Sequence, residues 1–168
     1  KIGDFFKSYM DEETIEKQGV EPLRDELEKI DQLSSMTEAV KHLGYMQTLD
    51  IDGPLGFYVD QDDKDSSQYL AAIVQSGTTL PDRDYYLEED EKYLAGRAAL
   101  KHYVEQLFKL SGLPNGEIAA KNVLSIETKL AEASWTRTEL RDADKRYNKY
   151  QIDELSKISP DFPWRVFF

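Results

Sequence analysis

The 168-residue sequence contains no cysteine. Its absence excludes disulfide bonds, cysteine-ligated zinc and thiol nucleophiles, but leaves the redox compartment open. No run of 18 or more apolar residues is present, so the sequence predicts no membrane-spanning helix. No signal-peptide pattern is visible in it.

Basic side chains are scarce relative to acidic ones. The chain has 21 lysines and arginines against 33 aspartates and glutamates, a formal net charge of −12. Binding to nucleic acid, or to an anionic membrane surface, requires clustered positive charge, so both classes of partner are disfavoured. With 40% hydrophobic residues, the chain has enough apolar material to fold around a core.

Histidine is nearly absent too, and the two present are far apart. His42 and His102 are separated by 60 positions, whereas the HExxH zinc motif places two histidines one turn apart on a single helix. Glu38 lies one turn before His42, but two ligands do not make a zinc site. We therefore interpret both histidines as residues on the surface of packed helices.

The acidic segment at residues 60–65 fails as a calcium loop. An EF-hand needs an oxygen ligand at position 5, glycine at position 6 and glutamate at position 12. Counted from Asp60, these positions hold Lys64, Asp65 and Ala71. The segment is better interpreted as a solvated hairpin loop.

Motifs for nucleophilic catalysis and phosphate binding are also missing. The sequence contains no GxSxG elbow and no glycine-rich phosphate loop. The sequence therefore predicts no catalytic, cofactor-binding or metal-binding residue in this chain.

Hydrophobic periodicity predicts a mainly α fold, a multi-helix bundle-like lobe with one small antiparallel β-hairpin. No glycine- or serine-rich linker interrupts the chain, so we expect residues 1–168 to form a single domain. The predicted helices cover about residues 2–18, a short segment from residue 22, and residues 35–49, 89–110, 119–135 and 153–158. The predicted strands cover residues 55–59 and 69–74, joined by a polar loop.

Two helices carry the strongest predictions of a buried face. In the first, the residues expected to face inward are Leu100, Val104 and Leu107. The second has apolar residues at spacings of four and three, which is a narrow helical seam. Its members are Ala119, Val123, Ile126, Leu130 and Ala133.

Two further segments combine arginine, aspartate and tyrosine beside a turn. They are residues 81–86 (Pro-Asp-Arg-Asp-Tyr-Tyr) and residues 141–148 (Arg-Asp-Ala-Asp-Lys-Arg-Tyr-Asn). Such groups can bind an anion or a peptide, or form a hydrogen-bonded corner that fixes loops between helices. We favour the architectural interpretation, because ion pairs with satisfied partners more often specify geometry.

Both ends of the sequence have the character of an interior segment. An amphipathic pattern begins at Ile2, and the last residues are Val166, Phe167 and Phe168, whereas natural termini are commonly polar. We expect the chain to be an internal fragment of a longer protein.

These segments together resemble the non-catalytic N-terminal region of the neprilysin / endothelin-converting enzyme family of zinc metallopeptidases, including bacterial oligopeptidase O. The most specific match is Leu80-Pro81-Asp82-Arg83-Asp84-Tyr85-Tyr86-Leu87. The others, in chain order, are residues 6–11, 15–16, 19–23, 57–60, 63–66, 126–127, 129–131, 141–142, 147–148 and 162–164.

The resemblance implies a two-lobed peptidase in which one lobe holds zinc and the other, mainly helical, covers the cavity. This chain would belong to the covering lobe and be inactive alone, since the family's HExxH, downstream glutamate and Asn-Ala segment lie far C-terminal to the matched region. Zinc is expected in the absent catalytic lobe, and no catalytic or metal residue of the family maps onto this chain. The implied partners are the catalytic lobe of the same polypeptide and peptide substrates.

Cysteines that animal members carry are missing here, with Ser8 at one such place, which favours a bacterial origin. The compartment is unknown, with a periplasmic or extracytoplasmic place favoured over the cytoplasm. Two alternatives stay open: a stand-alone acidic helical binding or scaffold module, and a catalytically inactive lid paralogue.

Overall fold

The computed structural model describes all 168 residues, which form ten α-helices and one two-stranded antiparallel sheet. The predicted mainly α fold with a single hairpin is confirmed. The strands are β1 (Leu55–Asp62) and β2 (Asp65–Gln75). The helices are α1 (Ile2–Tyr9), α2 (Glu12–Gln18), α3 (Arg24–Asp31), α4 (Met36–Thr48), α5 (Asp84–Leu87), α6 (Glu91–Ser111), α7 (Gly116–Ala133), α8 (Ala143–Arg146), α9 (Ile152–Ile158) and α10 (Trp164–Phe167).

The chain divides into two compact units, Lys1–Ser34 and Ser35–Phe168. The prediction of one domain over residues 1–168 stays a prediction. In the first unit, the single helix expected over residues 2–18 is wrong, because Asp11 starts a new helix. Its carboxylate accepts a hydrogen bond from the backbone N–H of Thr14 at 3.1 Å, which caps the N-terminus of α2. Gly19 follows α2 with a positive φ of 54°, a conformation that glycine adopts without a steric penalty.

The second unit begins at the predicted cap of α4. The Ser35 hydroxyl accepts a hydrogen bond from the backbone N–H of Glu38 at 3.2 Å, satisfying one of the unpaired donors of the first turn. Further along α4, Gly44 lies against the backbone carbonyl of Phe167, where a Cβ atom would collide. Glycine at this position therefore allows α10 to pack closely on α4.

The hairpin is longer than predicted, and the prediction of a polar loop between residues 59 and 69 is wrong. β1 and β2 continue through the acidic segment and leave Asp63 and Lys64 as the turn, with a register shift after Gln61. Most residues of both strands are exposed. Polar side chains at these positions therefore stay hydrated, and the pattern that resembled a loop is compatible with a strand.

The buried core of the second unit lies among α5, α6 and α7. It contains Tyr86, Leu100, Val104, Ala120 and Ala131. The predictions for Leu100 and Val104 are confirmed.

Other predicted core positions are wrong. Leu107 is 45% exposed and Ile126 57% exposed, and Ala133 is exposed as well. On α7 the buried residues are Ala120, Glu127 and Ala131, so the inward face is rotated by one residue from the apolar seam. This rotation places a carboxylate in the core.

Candidate functional site

The structure does not bring the two histidines together in one site. His42 is half-buried and its ring lies tilted by 46° against that of Tyr45, with the centroids 5.8 Å apart, while His102 is exposed. No group of three or more histidines, cysteines, aspartates or glutamates is placed so that it could hold a metal ion. Neither histidine is therefore joined with carboxylates in a three-ligand group.

The turn at residues 81–86 is built around a buried carboxylate. Glu127 of α7 is 7% exposed and Tyr86 of α5 is 5% exposed. The Tyr86 hydroxyl donates a hydrogen bond to Glu127 Oε2 at 2.5 Å. Thr79 donates two more to Glu127, from its backbone N–H at 3.1 Å and from its hydroxyl at 2.7 Å.

The same tyrosine also accepts a hydrogen bond, from the backbone N–H of Leu80 at 2.8 Å. Burial, followed by the bond to Glu127, raises the pKa of Tyr86 above its ordinary value of 10.0. The phenol therefore remains a donor at neutral pH. We call Glu127, Tyr86, Thr79 and the Leu80 N–H the Glu127 node.

The charged residues of this turn fix its position on the helices. Arg83 donates from Nε to the backbone carbonyl of Ala131 at 3.2 Å, near the end of α7. Asp82 pairs with Arg137 at 2.5 Å. Arg97 of α6 donates to the carbonyl of Tyr85 at 2.9 Å. These contacts attach the turn to α6 and α7, as the architectural interpretation of residues 81–86 predicts.

A cleft of about 260 Å³ opens beside the turn, between the end of β2 and the segment after α7. Gln75 closes one side through two hydrogen bonds to Trp135, one to its carbonyl at 3.2 Å and one from its N–H at 2.8 Å. The charged side chains lining the cleft are Asp82, Arg83, Asp84 and Arg137. Its lining contains no histidine, and the balanced charges do not select one class of ion.

The second arginine-aspartate-tyrosine segment meets the hairpin turn. Asp62, only 3% exposed, accepts hydrogen bonds from the Tyr147 hydroxyl and from Lys149 Nζ, both at 2.8 Å. It also accepts one from the backbone N–H of Lys64 at 2.9 Å. We call Asp62, Tyr147, Lys149 and Lys64 the Asp62 node.

The Asp62 node corrects the expectation of a fully solvated acidic loop, because three donors enclose its carboxylate. The bond to Lys149, the largest cause, together with the bonds from Lys64 and Tyr147, lowers the pKa of Asp62 from 3.8 to about 2. In return, Asp62 raises the pKa values of Tyr147 and Lys149. Its oxygens are thus engaged by protein donors.

Sequence reasoning missed Glu127 and Asp62 as the residues that organise these two places. Glu127 lies one position from the predicted seam, on a neighbouring stripe with Ala120 and Ala131. Asp62 is one of several aspartates in an acidic run. A carboxylate within an apolar helical stripe was the available signal for Glu127. Nothing distinguishes Asp62 from its neighbours before the fold is known.

Comparison with known proteins identifies the family of the whole chain. The model of the N-terminal region of peptidase family M13 matches residues 1–168. The chain belongs to peptidase family M13. The resemblance to the neprilysin / endothelin-converting enzyme family is therefore confirmed.

The curated relatives of the M13 chain include animal enzymes. It is 30% identical to human endothelin-converting enzyme 1 over 97% of this chain and 22% of that protein. It is 31% identical to an endothelin-converting enzyme homolog of Locusta migratoria over 98% of this chain and 24% of that protein. The chain thus spans about a quarter of the length of the curated relatives it matches.

A solved structure shares the fold of the M13 chain. The zinc metalloprotease Zmp1 of Mycobacterium tuberculosis, in complex with an inhibitor, superposes with a TM-score of 0.90 at 39% identity. The match covers 99% of this chain and 26% of that one. Similarity to a bacterial protein agrees with the origin expected from the sequence. No helix in the structure has the length and apolar character needed to cross a bilayer.

Proposed function

We propose that this chain is part of the covering lobe of a zinc metalloendopeptidase that hydrolyses peptides. In this proposal the lobe restricts access to the zinc site, shields it from bulk solvent, and contributes no catalytic residue. The zinc belongs to a catalytic lobe elsewhere in the same polypeptide. There it would activate water and polarise the scissile carbonyl.

One observation carries the proposal: a fold match with a TM-score of 0.90 to about a quarter of a zinc metalloprotease. The chain that matches so closely has no cluster of metal-ligand side chains. Its two buried carboxylates hold turns in place, in the Glu127 and Asp62 nodes. These contacts support a structural role for the chain, as part of the wall of the covering lobe.

The test compares the full-length protein with residues 1–168 alone. We expect the full-length protein to cleave short unfolded peptides but not folded proteins, to lose activity with a chelator, and to regain it with zinc. We expect residues 1–168 to bind no stoichiometric zinc and to cleave nothing. Stoichiometric zinc in the short chain, or equal cleavage of peptides and folded proteins by the long one, would contradict the proposal.

The gene itself separates this function from the alternatives. An HExxH motif several hundred residues downstream supports the peptidase. A long gene without that motif indicates an inactive lid paralogue, and a gene ending at Phe168 indicates a stand-alone binding module.

Family membership also supports an extracytoplasmic place for the protein. Cell fractionation tests this, and recovery of the protein only with cytoplasmic markers would contradict it.

A further inference from the structure

The two edges of the β-hairpin differ in their free backbone groups. In an antiparallel pair of strands, residue pairs that hydrogen-bond to each other alternate with pairs whose N–H and C=O groups point outward. The Ser76 N–H donates to the Pro54 carbonyl at 3.3 Å, so this pair is of the bonded kind. Counting from it along the register, the residues with outward backbone groups are Leu55, Phe57, Val59 and Gln61 on β1, and Tyr69, Ala71, Ile73 and Gln75 on β2.

Side chains close both ends of the β1 edge. Gln47 of α4 donates from Nε2 to the Leu55 carbonyl at 3.2 Å. At the other end, the Asp60 carboxylate accepts a hydrogen bond from the Gln61 N–H at 2.8 Å. Both contacts engage groups that the register places outward, and a charged side chain at a sheet edge hinders pairing with a further strand. This edge is therefore protected.

The β2 edge, by which we mean the outward N–H and C=O groups of Tyr69, Ala71 and Ile73, has no such protection. No other group of the chain hydrogen-bonds to them. Residues 66–81 carry no charged side chain, the longest such stretch in a chain in which 32% of residues are charged. Tyr69 is 70% exposed and Ala71 is exposed, and β2 packs extensively only on β1. Proteins normally guard an open edge with charge, proline or a covering element.

We propose that the β2 edge binds an extended segment of a peptide substrate as a third strand of the sheet. The inference rests on the proposed function, because it takes peptides as the substrates of the longer M13 protein. N–H and C=O groups that alternate along an edge bind the backbone of an extended chain and leave its side chains largely unread. Such a surface would accept peptides of many sequences, whereas a folded protein, whose backbone groups are already paired, would not bind.

Backbone pairing without much burial suits a ligand that is released. The net gain from a hydrogen bond in water is small, because each one replaces a bond to solvent. Most residues of both strands are exposed, so a third strand would bury little apolar surface beside them. A permanently docked segment of the same polypeptide needs such burial, and a second copy of a chain with a net charge of −12 is repelled. A peptide substrate is the occupant that weak, reversible pairing supports.

The length of the edge determines the probe. From Tyr69 to Ile73 it extends about 13 Å, at roughly 3.3 Å per residue, so a heptapeptide spans it. The probe is a capped heptapeptide of alternating threonine and alanine. Its control is the same peptide methylated on the three central backbone nitrogens, which removes N–H donors from both sides of the strand. Binding is measured to the full-length protein after zinc is removed with a chelator, so that the peptide is not cut.

Residue-resolved hydrogen exchange of that protein tests the proposal without any variant. We expect the amides of Tyr69, Ala71 and Ile73 to exchange rapidly in the free protein and several-fold more slowly with the heptapeptide. The amides of Leu70 and Ala72 are the internal control, because the register bonds them to β1 in both states. The methylated peptide is expected to change neither set.

Absence of slowing by the heptapeptide, or equal slowing by both peptides, would overturn the proposal. Slow exchange of the outward amides in the free protein would also overturn it, because another strand would already cover the edge. Protection that is lost on dilution identifies that strand as a second copy, and protection that persists identifies a segment of the same polypeptide. Peptide hydrolysis by the zinc-loaded protein is read separately. Hydrolysis without binding at the edge refutes only this inference, whereas binding without hydrolysis refutes only the proposed function.

Two proline variants of the full-length protein supply an independent readout. Ala71→Pro removes one outward N–H from the β2 edge, and Val59→Pro, directly opposite in the register, removes one from the β1 edge. Neither removes a hydrogen bond of the ladder, and proline is tolerated where the N–H faces outward. With a fluorescent heptapeptide, anisotropy is expected to show several-fold weaker binding to Ala71→Pro than to the parent, and unchanged binding to Val59→Pro. Equal affinity of the two variants would contradict the proposal.

Discussion

Two tyrosine–carboxylate contacts hold distant parts of the second unit together, and they do so by different chemistry. In the Glu127 node, Tyr86 meets a carboxylate 41 positions away at 2.5 Å. In the Asp62 node, Tyr147 meets a carboxylate 85 positions away at 2.8 Å. Both carboxyl-bearing residues are less than a tenth exposed. Only in the second node does a charged group, the Lys149 ammonium, donate to the carboxylate.

The two nodes differ in whether water can replace a hydrogen-bond partner that is lost. Asp62 is surrounded by exposed residues, and the side chain of Lys149 is 39% exposed, so water has access to the partners if one contact is lost. Glu127 lies on the inward face of α7, and its donors are uncharged groups of Thr79 and Tyr86. Loss of this acceptor leaves the buried Tyr86 hydroxyl without its acceptor, which costs more than losing a contact whose donor water can reach, as it can reach the exposed Thr79 and Lys149.

The two nodes are also expected to respond to opposite ends of the pH scale. The raised pKa of Tyr86 means that its contribution is complete below its ordinary value of 10.0 and is lost as the pH rises above it. The lowered pKa of Asp62 means that its contribution is complete above 3.8 and is lost as the pH falls toward 2. Substitutions at the two nodes can therefore be distinguished by pH as well as by magnitude.

The largest expected effect is that of Glu127→Leu. It deprives Thr79 and Tyr86 of their shared acceptor, so we expect the free energy of unfolding to fall by about 2–4 kcal/mol in urea denaturation. The double variant Glu127→Leu with Tyr86→Phe should be less destabilised than the sum of the two single variants, since no phenol is then left unpaired.

Glu132→Leu is the matched control, an exposed glutamate on the same helix. Its effect should stay within about 0.5 kcal/mol. A loss of less than about 1 kcal/mol for Glu127→Leu would show that water satisfies the donors of the Glu127 node.

Tyr86→Phe is expected to have the next largest effect. It removes a hydroxyl that donates to Glu127 and accepts from the backbone N–H of Leu80. We expect a loss of about 1–3 kcal/mol at neutral pH. The difference from the parent protein should shrink as the pH rises above 10.0, because only the parent has the Tyr86 proton to lose there.

Urea unfolding at a series of alkaline pH values measures this effect. Tyr150→Phe, at a tyrosine that is 50% exposed, controls for general effects of losing a phenol. If the difference in free energy of unfolding between Tyr86→Phe and the parent does not change with pH, ionisation of the phenol does not affect the stability that the node provides.

Local signals in the sequence were sufficient for much of this architecture. The start of α4 and the end of α6 lie close to the predicted residues 35 and 110. The N-cap Ser35 and Gly112, which is left-handed with φ 71°, act within one helical turn. The hairpin also followed from local patterns, but its length did not. Its exposed strands tolerate the polar residues that we expected to form a loop.

The inward face of α7 and the two nodes were not predictable in the same way. The apolar seam favoured Ile126, but contacts with Thr79 and Tyr86, 48 and 41 positions away, turn Glu127 inward. Asp62 depends on residues 85 and 87 positions away. Such partners are determined by tertiary packing, and no periodicity within one helix or strand records them.

The smallest expected effect is that of Asp62→Asn, and it should appear mainly at acid pH. The parent protein is expected to lose stability as the pH falls from 3.8 toward about 2, the range between the ordinary and the lowered pKa of Asp62. The asparagine variant has no proton to take up there, so its thermal unfolding temperature should fall less over that interval. Asp63→Asn, at the adjacent exposed turn residue, should retain the parent's acid dependence. If Asp62→Asn retains it as well, the Lys149 contact does not contribute to the acid sensitivity of the fold, and the contrast between the two nodes rests on the Glu127 node alone.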